Sequence, residues 1–133
     1  MNRQQKCITL WVLLIIAMML HSNYSVSGII YGLDVRSPNA TGEITLGTII
    51  IRQLFYHLPF VWIFIIMYFE TKLVRLGLFI LSVVYGFAHA MHLVGEVVKG
   101  DDPSQVSLLS FTLVTAVILV LEHFKWYKQP ENG

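Results

Sequence analysis

Five polar side chains recur at helical spacing in the third apolar segment of the chain. Their positions advance in steps of 3, 4, 3 and 4 residues: Ser82, Tyr85, His89, His92 and Glu96. That spacing predicts that all five share one face of an α-helix. Ionisable side chains at membrane depth are costly and usually face a bundle interior. This face is therefore the strongest indication of function in the sequence.

The second apolar segment brings polar residues to a similar depth. At 1.5 Å per residue from the outer ends of the two segments, Arg52 and His92 both lie about 9 Å deep, His57 about 16 Å and His89 about 14 Å. His21, at the outer end of the first segment, can add another imidazole. We therefore expect a polar pocket in the outer half of a helix bundle. Its predicted lining is Arg52, Tyr56, His57, Ser82, Tyr85, His89, His92 and Glu96.

Two cofactors are compatible with such a pocket. Imidazole and carboxylate ligands suit a divalent metal ion, and the predicted ligand set is His57, His89, His92 and Glu96. The spacing of these residues matches no specific metal motif. Haem is the other possibility, because His57 and His89 lie at similar depth on separate helices and could bind the iron from both sides.

A third chemistry is a proton or ion relay, since histidine titrates near neutral pH and His–Glu chains can carry protons through a bundle. Arg52 would anchor such a relay or bind an anionic substrate. Pro59 supports a functional helix, because it lacks a backbone N–H and is expected to free the carbonyl of Phe55, next to Tyr56 and His57.

The alternative interpretation, which we favour at this point, is structural. Buried polar side chains between membrane helices each contribute about 0.6–2 kcal/mol to packing. Arg52 and Glu96 could form an ion pair that fixes helix register. On this interpretation the protein is an accessory or interaction subunit, and the active alternative is a metal- or haem-dependent redox or transport component. Glu122 and His123, at the inner edge of the last segment, are expected to be solvated.

Composition limits the class of protein. The 133 residues are 56% hydrophobic and 13% charged, with mean hydropathy +0.67. The net charge of +1 argues against nucleic-acid binding, and the single cysteine, Cys7, excludes an intrachain disulfide and a thiolate metal cluster. There is no nucleophile-elbow serine and no Gly-rich phosphate motif, so the sequence favours a protein that is not an enzyme.

The predicted fold is a single integral-membrane domain over residues 1–133, an all-α antiparallel four-helix bundle of up-down-up-down order. Residues 1–27 also resemble a cleaved signal peptide, although a retained helix is favoured. The predicted spans are 7–26, 46–69, 73–98 and 104–124, with an outer loop over 27–45.

Basic residues predict the orientation of these spans. Two lie on the predicted outer side, Arg36 and Lys99. Six lie on the other: Arg3, Lys6, Lys72, Arg75, Lys125 and Lys128. The positive-inside rule then places both termini in the cytoplasm. Compactness favours a bacterial cytoplasmic (inner) membrane. The expected partners are the lipid bilayer and either another membrane protein or a second copy of the chain.

Overall fold

Every regular element that the structure describes is a helix. A computed structural model describes residues 1–36, 40–100 and 102–130. The elements in chain order are α1 (Arg3–Ser27), a 3₁₀ turn (Gly28–Tyr31), α2 (Leu46–Arg52), a π-turn (Gln53–His57), α3 (Leu58–Tyr68), α4 (Lys72–Lys99) and α5 (Pro103–Tyr127). We call the continuous stretch α2–π-turn–α3 the second span.

Four helical stretches are long and apolar enough to cross a membrane, as predicted: Arg3–Tyr31, Leu46–Tyr68, Lys72–Lys99 and Pro103–Tyr127. Large apolar side chains cover their outward faces. Phe87 and Phe111, for example, are 69% and 71% exposed. A surface this apolar is compatible with a lipid environment.

Polar side chains set where two of the helices begin. The Asn2 side chain accepts from the Gln5 N–H at 2.8 Å, and the Gln5 side chain accepts from the Asn2 N–H at 3.1 Å. This capping box starts α1 at Arg3, four residues before the predicted span. Asp102 caps α5 by accepting from the backbone N–H of Ser104, and hydrogen bonds from Ser104 hold the pKa of its carboxyl below the usual range.

The last helix, α5, packs along both α1 and α4, and α1 also packs against the second span. Arg3 Nη1 lies 2.8 Å from Glu122 Oε2, so the start of α1 lies beside the end of α5. At the opposite ends of these helices, Ser25 Oγ lies 3.4 Å from Gln105 Oε1.

The core centres on Trp11, which is fully buried. Its ring meets the edge of Tyr85 with centroids 5.0 Å apart, and its indole N–H donates to His123 Nε2 at 3.1 Å. One tryptophan thereby contacts α4 and α5 from α1. Further buried members of this core include Ile66, Leu78, Ala116 and Leu119.

Pro59 is accommodated by the π-turn that precedes it. Leu58 N–H bonds to the carbonyl of Gln53, five residues back. The next donor in this register would bond to Leu54, but Pro59 has no N–H. The Tyr85 hydroxyl on α4 donates to this Leu54 carbonyl instead. A side chain of α4 therefore supplies the donor that the second span lacks.

In an uninterrupted α-helix the released carbonyl would belong to Phe55, as predicted from the sequence. The π-turn lengthens the hydrogen-bonded spacing from four residues to five, which moves the affected acceptor to Leu54. The carbonyl that receives a side-chain donor is therefore that of Leu54, whereas the sequence predicts that Pro59 frees the carbonyl of Phe55.

Replacing Tyr85 by Phe should lower the free energy of unfolding by about 1–3 kcal/mol, because the part-buried carbonyl of Leu54 loses its donor. The loss should shrink in a Pro59→Ala background, where the helix regains a backbone N–H. Equilibrium unfolding in detergent measures both effects. Tyr68→Phe, at an exposed tyrosine, is the matched control. A Tyr85→Phe loss that is independent of Pro59 would contradict this role for the hydroxyl.

Candidate functional site

Two histidines and a glutamate converge near the ends of α1 and α4. His21 comes from α1, and His92 and Glu96 come from α4, one helical turn apart. One ligand atom from each residue lies within 4.8 Å of the others. We call this group the His21–His92–Glu96 cluster. Among the described residues it is the group of histidine, cysteine and carboxylate side chains whose spacing could hold a metal ion.

Two ring contacts between α1 and α4 show why these residues meet. Trp11 faces Tyr85 in the core, and ten residues further along α1 His21 faces His92, with ring centroids 4.9 Å apart. Both helices therefore run toward the same end of the protein. Glu96 follows His92 by four residues, which brings it to the same face of α4.

The two imidazoles share a hydrogen bond between His21 Nε2 and His92 Nε2, 3.1 Å apart, with ring planes at 88°. One nitrogen must carry a proton and the other a lone pair. Two nitrogens that each bind a tetrahedral metal ion at about 2.1 Å lie about 3.4 Å apart. The observed separation is close to that of a pair of metal ligands, so a metal ion could replace the shared proton if the rings turn their lone pairs toward it.

Glu96 is buried, and its Oε1 accepts from Lys99 Nζ at 2.7 Å. The Lys99 side chain is 65% exposed, whereas that of Glu96 is only 8% exposed. A cation in the cluster would compete with the lysine ammonium for the carboxylate. Because the lysine is flexible and solvated, it can withdraw at small cost.

Other residues of the predicted pocket lie elsewhere along α4. His89 is 2% exposed and packs against the rings of Phe55 and Tyr85, at centroid distances of 5.4 and 6.5 Å. Its Nδ1 has no hydrogen-bond partner among the described residues. Ser82 is fully buried and donates to the carbonyl of Phe79 at 2.7 Å.

The polar residues of the second span form a separate group. Arg52, Tyr56 and His57 line a cavity of about 720 Å³ between this span and α1. Tyr56 donates to the carbonyl of Met18 at 3.3 Å, and exposed His57 bonds through Nδ1 to the Gln53 side chain at 2.9 Å. The structure thus brings His92 and Glu96 together with His21, and places the second-span residues in another group. The carboxylate of Glu96, for which Arg52 was one predicted partner, pairs with Lys99.

The expectation that Glu122 and His123 are solvated is wrong. His123 is fully buried and accepts the indole N–H of Trp11, while Glu122 binds Arg3. Since an indole N–H only donates, His123 Nε2 must be unprotonated, which fixes the neutral Nδ1–H tautomer. The sequence did contain a signal for this burial. His123 continues the 4, 3, 4 spacing of the buried face of α5: Thr112, Ala116, Leu119 and His123.

Comparison with known proteins finds no relative of this chain. No family model, no curated protein and no solved structure matches it. Function is therefore inferred from the position and chemistry of the clustered residues.

In metal-free buffer, His21→Ala and His92→Ala should show a coupling energy of about 0.5–1.5 kcal/mol in a double-mutant cycle, because each change removes the same hydrogen bond. Unfolding free energies of the two single variants and the double variant give this value. The control cycle pairs His21→Ala with His123→Ala, which should be additive within about 0.5 kcal/mol. Equal coupling energies from the two cycles would argue against a hydrogen bond between the imidazoles of His21 and His92.

Proposed function

We propose that the chain is an integral membrane protein that folds as an antiparallel up-down-up-down four-helix bundle with both termini in the cytoplasm. Four apolar helices and the contact of each end of α1 with the opposite end of α5 support this arrangement. The bias of basic residues toward one side supports the orientation.

Aromatic and basic residues at the proposed inner surface add to this support. The Arg75 guanidinium lies over the Trp126 ring at 5.3 Å, and the Lys72 ammonium lies over the Tyr127 ring at 5.9 Å. Tryptophan and tyrosine at the ends of spans, next to lysine and arginine, are typical of a membrane interface on the cytoplasmic side.

We further propose that the His21–His92–Glu96 cluster binds a divalent transition-metal ion. The single observation that carries this proposal is the approach of three potential ligand atoms to within 4.8 Å of one another, from two helices of a largely apolar bundle. Two imidazoles and a carboxylate suit zinc, and also iron, nickel or manganese. Three protein ligands leave a coordination position for water or for a group from a partner. The function proposed is that of a metal-binding membrane component.

A second candidate is the accessory subunit, whose polar residues serve only to fix helix packing. The hydrogen bonds between helices favour it, because Tyr85 donates to the carbonyl of Leu54 and Trp11 donates to His123. Each such bond stabilises the helix packing. The two candidates differ in one property, since only the first gives the bundle a ligand to bind.

The ligand set predicted from the sequence and the His21–His92–Glu96 cluster share His92 and Glu96. The predicted set adds His57 and His89, whereas the cluster adds His21. Purified protein should bind one zinc ion per chain, and His21→Ala or His92→Ala should weaken binding by at least about 10–100-fold, because each removes a ligand. His57→Ala is the matched control and should bind zinc like the wild type. Elemental analysis gives the stoichiometry, and titration calorimetry with zinc gives the affinity.

Loss of zinc binding in His57→Ala but not in His21→Ala would favour the set predicted from the sequence and overturn the His21–His92–Glu96 cluster. Absence of stoichiometric zinc from folded wild-type protein would favour the accessory subunit.

The orientation can be tested with a maleimide that does not cross membranes. In intact cells it should label a cysteine introduced as Thr41→Cys but not one introduced as Gln129→Cys, since the first lies in the proposed outer loop and the second in the cytoplasm. After lysis both should react. Wild-type protein is the background control, because its single Cys7 is fully buried. Labelling of Gln129→Cys in intact cells would contradict the proposed topology.

A further inference from the structure

A groove runs along the membrane-facing side of the protein between α1 and the second span. It encloses about 720 Å³, within the roughly 300–1,000 Å³ of typical ligand sites. We call it the lateral groove. Its lining includes the apolar side chains Ile15, Met19, Ile51 and Phe60 and the polar side chains Arg52 and His57. Met19, Ile51 and Phe60 are each more than half exposed, so the groove opens sideways to its surroundings.

Arg52 is the unexpected member of this lining. It is exposed, and it forms no ion pair with any residue that the structure describes. An arginine facing the hydrocarbon of a bilayer is costly unless an anion or water reaches it. The groove therefore places an unneutralised cation beside an apolar channel.

The direction of the helix determines where this charge lies. In an α-helix the Cα–Cβ bonds tilt toward the N-terminus. The N-terminus of the second span faces outward in the proposed topology, so the Arg52 side chain extends toward the outer headgroups. Phe60 follows eight residues later and about 12 Å deeper. Along α1, which runs in the opposite direction, Ile15 lies deeper than Met19. The groove is thus charged at its outer end and apolar at its inner end.

We propose that the lateral groove binds an anionic phospholipid from the outer leaflet. The Arg52 guanidinium contacts the lipid phosphate, and one acyl chain lies between α1 and the second span, along Ile15 and Phe60. Guanidinium groups bind phosphate oxygens through paired hydrogen bonds, which supplies both attraction and orientation. This inference rests on the proposed topology but not on the metal cluster.

A second copy of the chain fits the groove less well. To neutralise Arg52 within the membrane it would have to present an acidic side chain. The four spans contain two, Glu96 and Glu122, and both are buried in ion pairs within their own chain. A lipid phosphate needs no such rearrangement, because it already lies at the level that the arginine reaches.

The test compares lipids that share their acyl chains and their phosphate but differ in the headgroup and its net charge. Protein in mixed liposomes of phosphatidylglycerol and phosphatidylcholine with identical acyl chains is extracted gently, and the bound lipid is identified by native mass spectrometry. Wild-type protein should retain phosphatidylglycerol preferentially, and Arg52→Gln should reduce that preference by about tenfold. Met19→Trp, which fills the groove, should reduce retention of both lipids. Arg36→Gln, in a loop where Arg36 binds Asp34, is the matched control and should change nothing.

Any of four results would overturn the proposal. The absence of a preference in wild-type protein, or a preference that persists in Arg52→Gln, would remove the role of the guanidinium. Displacement of bound phosphatidylglycerol by an equal concentration of palmitate would identify a free fatty acid as the ligand. A dimer that dissociates in Arg52→Gln would identify the groove as an interface between copies. Failure of membrane insertion is detected separately, by the maleimide labelling.

Discussion

The structure depends on one constraint, that a polar group enclosed by apolar helices costs free energy unless it finds a partner within the protein. The clearest case is the carbonyl of Leu54, which Pro59 leaves without a backbone donor and which the Tyr85 hydroxyl satisfies from another helix. Trp11 and His123 form a second such pair between α1 and α5. These bonds are specific in position and direction, whereas apolar contacts allow helices to slide. They therefore fix the register of α4 against the second span and of α1 against α5.

The same constraint applies to the His21–His92–Glu96 cluster, where the polar groups are only partly hydrogen-bonded. The bond between the two imidazoles joins α1 to α4, but it uses only one nitrogen of each ring, and His21 Nδ1 has no partner among the described residues. Packing alone does not require two imidazoles and a carboxylate at one point, since a hydroxyl or an amide would serve. A metal ion would use both Nε2 atoms and the carboxylate together, which accounts for the identity of all three residues.

The sequence predicts the helices of this protein well, but it predicts poorly which face of each helix points toward the core. Four apolar helices are confirmed because hydropathy and length alone determine them. Counting residues predicts the depth of a residue along its helix, but not the direction in which its side chain points around the helix axis. His57 was placed level with His89, yet His57 is exposed while His89 is buried. The π-turn adds one residue to the hydrogen-bonded loop, which the sequence signals only through Pro59.

The most direct test of the proposed metal centre is X-ray absorption at the zinc edge of protein loaded with one zinc ion per chain. Ligation by the His21–His92–Glu96 cluster predicts a first shell of two imidazoles with oxygen in the remaining positions, at about 2.0–2.2 Å. A shell of three imidazoles would point to His57 or His89 as ligands and would contradict the cluster. A shell containing oxygen but no imidazole would show that zinc binds elsewhere on the protein.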